Sequence, residues 1–502
     1  MAFPAMAQVP LESLLPRLGE SFGATADTAE AIGALGDPRG LPLLRALAEG
    51  RLARMPDGRL VIDGRDALSG EAASGPSEPI RINNRVRVAL RGATGRLAIV
   101  SPDATERAAA AEAVFRTRSA ENVPLLEAAL SRETVPAIRA RMELALGASR
   151  LLSNDPAAQR AGVAALAQAG TADARALLLE MRASRPDLAA EIDAAIATID
   201  RKLAFRQAAE TLFQGLSLGS VLLLAALGLA ITFGVMGVIN MAHGEMVMLG
   251  AYTTFVVQEA LRSTGFAAWS LPLSVPAAFL VTAAIGVALE RGLIRHLYGR
   301  PLETLLLTFG IGMMIQQTVR LVFGAQNREV ISPAWMQGFL LLPGGIAVTQ
   351  NRLWIIFFAL AILALTMLAI RYTRFGLQMR AVVQNRRIAA TMGIRTGRVD
   401  AATFAVGSGI AGIAGVALSQ IDNVSPNLGT GYIIDSFMVV VFGGVGSLLG
   451  TLVGAMTLGL TNKLLEPYAG AVLAKVAVLV GIMIFIQRRP KGLFALKGRA
   501  AE

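Results

Sequence analysis

The apolar positions of the chain follow two patterns, which meet near residue 205. Before it, apolar residues recur every three or four positions among Arg, Asp and Glu, which predicts amphipathic helices. After it, apolar residues form continuous runs close to the roughly 20 residues that a membrane-spanning helix needs. We therefore predict an all-α protein with a soluble helical domain over 1–205, a polytopic transmembrane bundle over 206–490 and a tail over 491–502.

The soluble domain is predicted to contain paired helices of the kind that stack in HEAT-like repeats. Short links containing Gly, Asn, Asp or Pro separate the periodic stretches, which are 29–47, 108–118, 123–131, 135–152, 157–169, 172–183 and 186–203. Residues 58–101 interrupt this series. Within them, Ile80–Leu90 alternates apolar and polar residues, which predicts a small β insertion.

The second half predicts eight to nine spans. The candidate stretches are 212–234, 241–260, 271–290, 304–323, 353–371, 399–420, 432–446, 447–464 and 470–487. Between the first two lies GVMGVINMAHGE, residues 234–245, whose glycines and polar side chains predict an elbow between two helices. Non-helical backbone at membrane depth needs protein or water around it, so the elbow is a candidate functional feature.

Composition narrows the chemistry. The 502 residues are 54% hydrophobic and carry a net charge of +11, with two His and no Cys. Disulfides and thiolate chemistry are excluded, and a His-based metal cluster is not expected. The positive charge gathers in Arg291–Arg300, Arg371–Arg398 and the tail from Arg488, so we assign it to cytoplasmic loops rather than to nucleic-acid binding.

The same charges predict the orientation. An odd number of spans before Arg291 places the N-terminal domain outside, in the periplasm, and the C-terminus in the cytoplasm. Arg201, Lys202 and Arg206, just before the first span, are the contrary signal. Ala5-x-Ala7 has the small-residue pattern of a signal-peptidase site, with an ordinary Ala-rich tail as the alternative.

The long basic loop, Arg374–Arg398, is the second candidate functional feature. Its pattern predicts two short helices on the cytoplasmic side, able to dock in a groove of a partner protein. The alternative is a solvated loop held inside by its charge. The small residues of Ala389-x-x-x-Gly393 are expected to close the turn between the two helices. The candidate docking residues are Gly376, Gln384, Asn385, Arg386, Ala389, Gly393 and Ile394.

Several separated motifs, in order, resemble the LivH-type permeases, the inner-membrane subunits of ATP-binding-cassette importers for branched-chain amino acids, amides and urea. They are the block Gly215–Glu245, Arg300-Pro-Leu-Glu with Thr308-Phe-Gly-Ile-Gly312, the 374–394 loop, Gly443-Gly-Val-Gly-Ser447 and the tail from Arg489. The resemblance covers nearly all of 206–495. It implies that the loop is the coupling element that sits in a cleft of the ATPase subunit.

The N-terminal domain of about 200 residues and the segment from Ile434 to Gly446 resemble the urea permease subunit. The resemblance therefore favours urea as substrate, with branched-chain amino acids or short amides as the alternative. Urea needs hydrogen-bonding partners more than charge pairs. The candidate path residues are Asn240, His243, Glu245, Thr308, Gln316, Gln420 and Asp435, with Asp422 and Asn423 near the external ends. For His243 and Glu245 the alternative is support of the elbow backbone.

The chain has no Gly-x4-Gly-Lys-Ser/Thr phosphate loop, so we predict a transport subunit and not an enzyme. The resemblance implies no cofactor in this chain, with ATP and Mg bound by two separate ATPase subunits. It also implies a related second permease subunit and a periplasmic solute-binding protein. The alternative functional classes are a secondary transporter, which should show inverted repeats, and a membrane-anchored sensor, which would use one or two spans instead of eight or nine.

Overall fold

The computed structural model describes residues 11–73, 75–342 and 344–494, and the chain divides into two units, Met1–Phe205 and Arg206–Glu502. The predicted signal-peptidase site and most of the predicted tail lie outside the described residues. Each unit has its own hydrophobic clusters and is described by itself.

The first unit is helical with one small sheet. Its helices are α1 (Leu11–Leu14), α2 (Phe22–Leu35), α3 (Gly40–Ala48), α4 (Asn84–Leu97), α5 (Ala104–Thr117), α6 (Val123–Arg132), α7 (Pro136–Leu151), α8 (Pro156–Ala169), α9 (Ala172–Ser184) and the start of α10 (Ala189–Met236). Its strands are β1 (Leu52–Arg54), β2 (Leu60–Ile62), β3 (Arg65–Asp66) and β4 (Glu78–Pro79). The helices predicted from periodicity in this region are confirmed.

The β insertion exists, but its predicted limits were wrong. The sheet is antiparallel in the order β3-β2-β1-β4, and β1 pairs with β2 so that Ala53 lies opposite Val61. Residues 84–97, predicted as part of the insertion, form α4 instead. The Asn83 side chain caps this helix by accepting the Val86 N–H at 3.0 Å. The prediction was wrong because a short alternation of apolar and polar residues does not exclude a helix.

The core of this unit is divided among three successive clusters of buried side chains, centred on α2–α4, on α5–α7 and on α7–α10. An ion pair with a buried carboxylate joins α5 to the segment between α6 and α7. The Arg107 guanidinium contacts the Glu133 carboxylate at 2.7 Å and, with the Val135 N–H, holds the pKa of that carboxyl below its usual value.

The second unit consists of long helices. They are the rest of α10, α11 (His243–Leu261), α12 (Ser270–Gly292), α13 (Pro301–Phe323), α14 (Gln350–Tyr372), α15 (Arg374–Gln384), α16 (Arg386–Thr391), α17 (Thr396–Leu418), α18 (Leu428–Gly443) and α19 (Leu448–Arg488). A hairpin of β5 (Phe339–Leu342) and β6 (Ile346–Thr349), which sequence analysis missed, precedes α14.

Helices occupy all nine predicted membrane stretches, but in the described part of the chain only six helices are long and apolar enough to cross a bilayer. These six are α10, α12, α13, α14, α17 and α19. The predicted number of eight to nine differs because α11 is more polar, α18 has 16 residues, and α19 contains two predicted stretches. These two meet at Gly470, whose φ of 77° breaks the helical geometry.

Helices α10 and α17 form the centre of this unit. In each, 83% of the most apolar stretch is buried, against 22% in α12, α13 and α14 and 17% in α19. Glycines let the central helices touch backbone to backbone: a Cβ on Gly228 of α10 would lie 2.2 Å from the Gly407 carbonyl oxygen of α17. Such close approach of small residues is how helices associate where no water drives them together.

Candidate functional site

The elbow between α10 and α11 is held by polar side chains. Helix α10 ends at Met236, Gly237 has a φ of 67°, and α11 begins at His243. The Asn240 side-chain oxygen accepts the Ala242 N–H at 3.0 Å, and the Thr308 hydroxyl on α13 accepts the Met241 N–H at 3.1 Å. These bonds satisfy backbone groups that the interruption of the helix frees.

His243 fastens the elbow to α10. Its Nε2 lies 2.8 Å from the Ala225 carbonyl oxygen, and because a carbonyl only accepts, Nε2 carries the proton and donates it. A Cβ on Gly228 would lie 2.9 Å from the His243 ring, so the imidazole fills the space that this glycine leaves. Helices α10, α11 and α17 therefore meet at this residue.

Three buried polar atoms of the elbow have no hydrogen-bond partner among the residues that the structure describes. They are Asn240 Nδ2, His243 Nδ1 and Glu245 Oε2, on side chains that are 1%, 1% and 7% exposed. Such atoms are costly in an apolar bundle, which makes these three side chains candidates for a functional role. The set offers a donor from the amide, an acceptor from the neutral imidazole and an acceptor from the carboxylate.

The other predicted path residues are not brought to the elbow, except Thr308. The Gln316 amide contacts the Asn427 side chain at 3.0 Å, so it ties α13 to the segment before α18. Gln420 lies in the wall of an apolar cavity of about 260 Å³. Asp435 forms an ion pair with Lys475 of α19 at 3.3 Å, a partner that sequence analysis missed. Asp422 and Asn423 are exposed.

The basic loop folds as two capped helices, α15 and α16. The turn between them was predicted at Ala389–Gly393, but it falls at Asn385. The Asn385 side chain accepts the Ile388 N–H at 3.0 Å and starts α16 there. Gly393 ends α16 with a φ of 85°, and Ile394 donates its N–H to the Ala389 carbonyl at 3.1 Å. Gly376 lies against α14, and Gln384 is the exposed last residue of α15.

The two faces of this loop differ. Met379, Val382 and Ala389 are buried in the main hydrophobic cluster of the second unit. The opposite face leaves large apolar side chains exposed among arginines, with Ile388 59% and Met392 78% exposed. An apolar surface with a basic surround is typical of a protein-binding site rather than of a freely solvated loop.

Arg386 joins this loop to the bundle. Its guanidinium contacts both carboxylate oxygens of the fully buried Asp400 on α17, with Nη1 3.1 Å from Oδ1. It also lies over the Tyr298 ring, 5.0 Å from the centroid, and the Tyr298 hydroxyl donates to Glu290 of α12 at 2.6 Å. Of these four, sequence analysis singled out only Arg386.

Comparison with known proteins assigns the second unit to a family. The family described as the permease component of the branched-chain amino acid transport system matches residues 211–487, more than half of the chain. The chain belongs to this permease family. It is accordingly a multi-pass membrane protein and a transport subunit, not an enzyme.

Individual relatives agree with this assignment. The chain is 32% identical over 294 residues to the LivH permease of the high-affinity branched-chain amino acid system of Salmonella typhimurium, covering 57% of this chain and 94% of that protein. It is 28% identical over 294 residues to BraD of Pseudomonas aeruginosa, with the same coverage of 57% and 94%. A shorter match, 26% over 127 residues, covers 23% of the chain and 40% of the ribose import permease RbsC of Escherichia coli. No solved structure matches.

The family match extends from before the elbow to near the end of α19, so both candidate features belong to the permease. The first unit lies outside it. Over the described residues, this permease has no group of three or more His, Asp or Glu placed to hold a metal ion. The elbow offers hydrogen bonding by Asn240, His243 and Glu245.

Proposed function

We propose that this permease forms the membrane path for branched-chain amino acids in an ATP-driven importer, together with a second permease subunit. The carrying observation is the elbow, which places three buried and unpartnered polar atoms among the described residues at the junction of α10, α11 and α17. Asn240 can donate to a passing solute, and His243 and Glu245 can accept from it. These groups replace some of the water that a polar solute loses on entering the bundle.

The proposal gives α15 and α16 the task of coupling. Their exposed apolar face, with Leu377, Ile388 and Met392, fits the groove of an ATPase subunit, and one copy of that subunit serves each permease subunit. ATP and Mg bind there and not in this chain. A periplasmic solute-binding protein delivers the solute to the opposite face of the bundle. The first unit, a HEAT-like stack in this proposal, faces the same side and guides that delivery.

Urea is the second candidate solute. One observation favours it: Asp435 already has a cation, Lys475, 3.3 Å away, so this carboxylate is not left to bind the ammonium group of an amino acid. A neutral solute rich in donors and acceptors suits such a site. LivH and BraD match this chain over 94% of their own length, and the family match begins at residue 211, after the first unit.

The experiment is uptake of radiolabelled leucine and urea by cells lacking this chain and by the same cells carrying it again. Loss of leucine uptake alone, restored by the chain, supports the amino-acid path, whereas loss of urea uptake alone assigns the second candidate. ATP depletion should stop the restored uptake. Uptake that survives ATP depletion and stops when ion gradients are collapsed would contradict an ATP-driven importer and indicate a secondary transporter.

A further inference from the structure

Four side chains from different segments meet where α16 joins the bundle, and we name them the Arg386 cluster: Arg386, Asp400, Tyr298 and Glu290. Arg386 is the first residue of α16, and Asp400 lies near the start of α17. The two-point contact of guanidinium and carboxylate fixes the direction of both side chains, which a single-point contact would not do. The start of α16 therefore cannot turn freely relative to α17.

The remaining two members extend this link to α12. The Tyr298 ring packs against the Arg386 guanidinium, a favourable cation–π arrangement. Its hydroxyl donates to Glu290, which is 2% exposed and lies at the end of α12. A chain of direct contacts thus runs from α16 to both α17 and α12.

Stability alone is a poor explanation for this cluster. Two buried carboxylates face one arginine and a neutral phenol, and the desolvation of buried charges offsets much of their attraction. Apolar side chains of similar volume commonly give a bundle at least as stable. What the charges and the bidentate geometry do provide is a defined relative position of three helices.

The helices that the cluster joins are themselves closely packed. A Cβ on Gly412 of α17 would lie 2.3 Å from Thr282 Oγ1 of α12, and one on Gly415 would lie 2.0 Å from the Val247 carbonyl oxygen of α11. Interfaces without space for a methyl group leave little room for sliding. Displacement of α17 therefore also displaces α11 and the elbow at its start.

We propose that the Arg386 cluster is the link through which a displacement of α16 moves α12 and α17 together, and through α17 the elbow. This inference rests on the proposed docking of α15 and α16 to an ATPase subunit. Arg386, Asp400, Tyr298 and Glu290 are positioning residues in this role, since none of them is among the unpartnered polar groups that the elbow offers to the solute.

The test uses the complete importer in proteoliposomes and measures solute uptake and ATP hydrolysis in the same preparation. Asp400→Asn keeps the shape but removes the charge that holds Arg386. We expect its uptake per ATP hydrolysed to fall about tenfold, which corresponds to ~1.4 kcal/mol, while ATP hydrolysis itself continues. Tyr298→Phe keeps the ring under Arg386 and removes the bond to Glu290, so a smaller fall in the same ratio is expected.

Matched controls separate this role from general damage. Tyr372 also lies beside an arginine, since the Arg371 guanidinium is 5.6 Å from the centroid of its ring. Tyr372→Phe should leave uptake per ATP unchanged. Arg386→Lys, which keeps the charge, should retain more of this ratio than Arg386→Ala. A purely structural contact would instead lower the amount of assembled importer and leave the ratio of the assembled fraction unchanged.

Unchanged uptake per ATP in both Asp400→Asn and Tyr298→Phe would overturn the link. If Asp400→Asn fails to assemble, Tyr298→Phe and Arg386→Lys decide: a lowered ratio supports the link and an unchanged ratio overturns it. A wild-type importer that shows no ATP-driven uptake would instead overturn the proposed function, and the link with it.

Discussion

Thr308 is the residue outside the elbow that most directly supports it, because its hydroxyl accepts the Met241 N–H from another segment at 3.1 Å. Thr308→Val keeps the shape of the side chain but leaves that buried N–H without an acceptor. The loss of a buried partner costs about 1–3 kcal/mol. We therefore expect a lower thermal unfolding midpoint for the purified permease and reduced solute uptake.

Thr318→Val is the matched control on the same helix. The Thr318 hydroxyl donates to the Met314 carbonyl of its own turn at 2.7 Å and the residue is exposed, so nothing in the elbow depends on it. Its unfolding midpoint and uptake should equal those of the wild type. An equal decrease in both variants would contradict the assigned role of Thr308.

The residues of the elbow could be found in the sequence because a polar break between two apolar runs is a local feature. Asn240, His243 and Glu245 are adjacent there, and their burial follows from the apolar runs on either side. Partners across the fold could not be found in this way. Asp435 was singled out without Lys475, because which side chains of α18 and α19 face each other depends on the relative rotation of the packed helices.

At the scale of elements, α16 depends on how its two ends are closed. Gly393 follows the helix with a φ of 85°, a conformation that costs a residue with a Cβ roughly 1–2 kcal/mol. No atom lies within 4 Å of the position where a Cβ would be, so Gly393→Ala tests the backbone strain alone. We expect faster amide hydrogen exchange over residues 389–394 and weaker association with the ATPase subunit.

Gly397→Ala is the control for this change, since Gly397 also has open space around its Cβ position but lies in the first turn of α17. Alanine favours a helix over glycine by up to about 1 kcal/mol, so this variant should be unchanged or slightly more protected. Equal exchange in the two variants would show that α16 does not rely on the left-handed residue.

The elements themselves were largely predictable, and the exceptions have physical reasons. Helices α5 to α9 follow periodic stretches, and capping side chains start α5, α8 and α9. Asp155 before α8, for example, accepts the Ala157 N–H at 3.0 Å. The 84–97 helix was missed because a short alternation fits both a strand and a helix. The turn at Asn385 was placed too late because the small residues nearby carried more weight than the cap.

For the whole molecule, α11 decides on which side of the membrane the first unit lies. Of the six long apolar helices, α10 and α12 precede the basic segment Arg291–Arg300, which the positive-inside rule places in the cytoplasm. Two crossings return the chain to the side on which it started, so this count places the first unit in the cytoplasm as well. If α11 also crosses, three crossings separate the first unit from this basic segment, and the first unit lies outside. The side of the C-terminus does not depend on how the helices after the 374–398 loop are counted. Adding α18 and dividing α19 at Gly470 adds two crossings, an even number.

We predict that α11 crosses. Its 19 residues give a length of about 28 Å, close to the hydrocarbon core of a bilayer at roughly 30 Å. Its residues from His243 to Tyr252 are largely buried in protein, so polar side chains there do not face lipid and lower the hydropathy without preventing a crossing. The first unit then lies outside, even though Arg201, Lys202 and Arg206 precede α10, because large domains are translocated largely regardless of charge.

Single cysteines test this orientation directly, because the chain has no cysteine of its own. Ala120 of the first unit and Ala390 of α16 are both exposed alanines, so Ala120→Cys and Ala390→Cys form a matched pair. A membrane-impermeant maleimide added to intact cells, with its access to the periplasm verified separately, should label the first and not the second. After lysis both should be labelled. If both are protected until lysis, α11 does not cross and the six-helix count is correct, and if only Ala390→Cys reacts in intact cells, the loop is external and cannot meet a cytoplasmic ATPase.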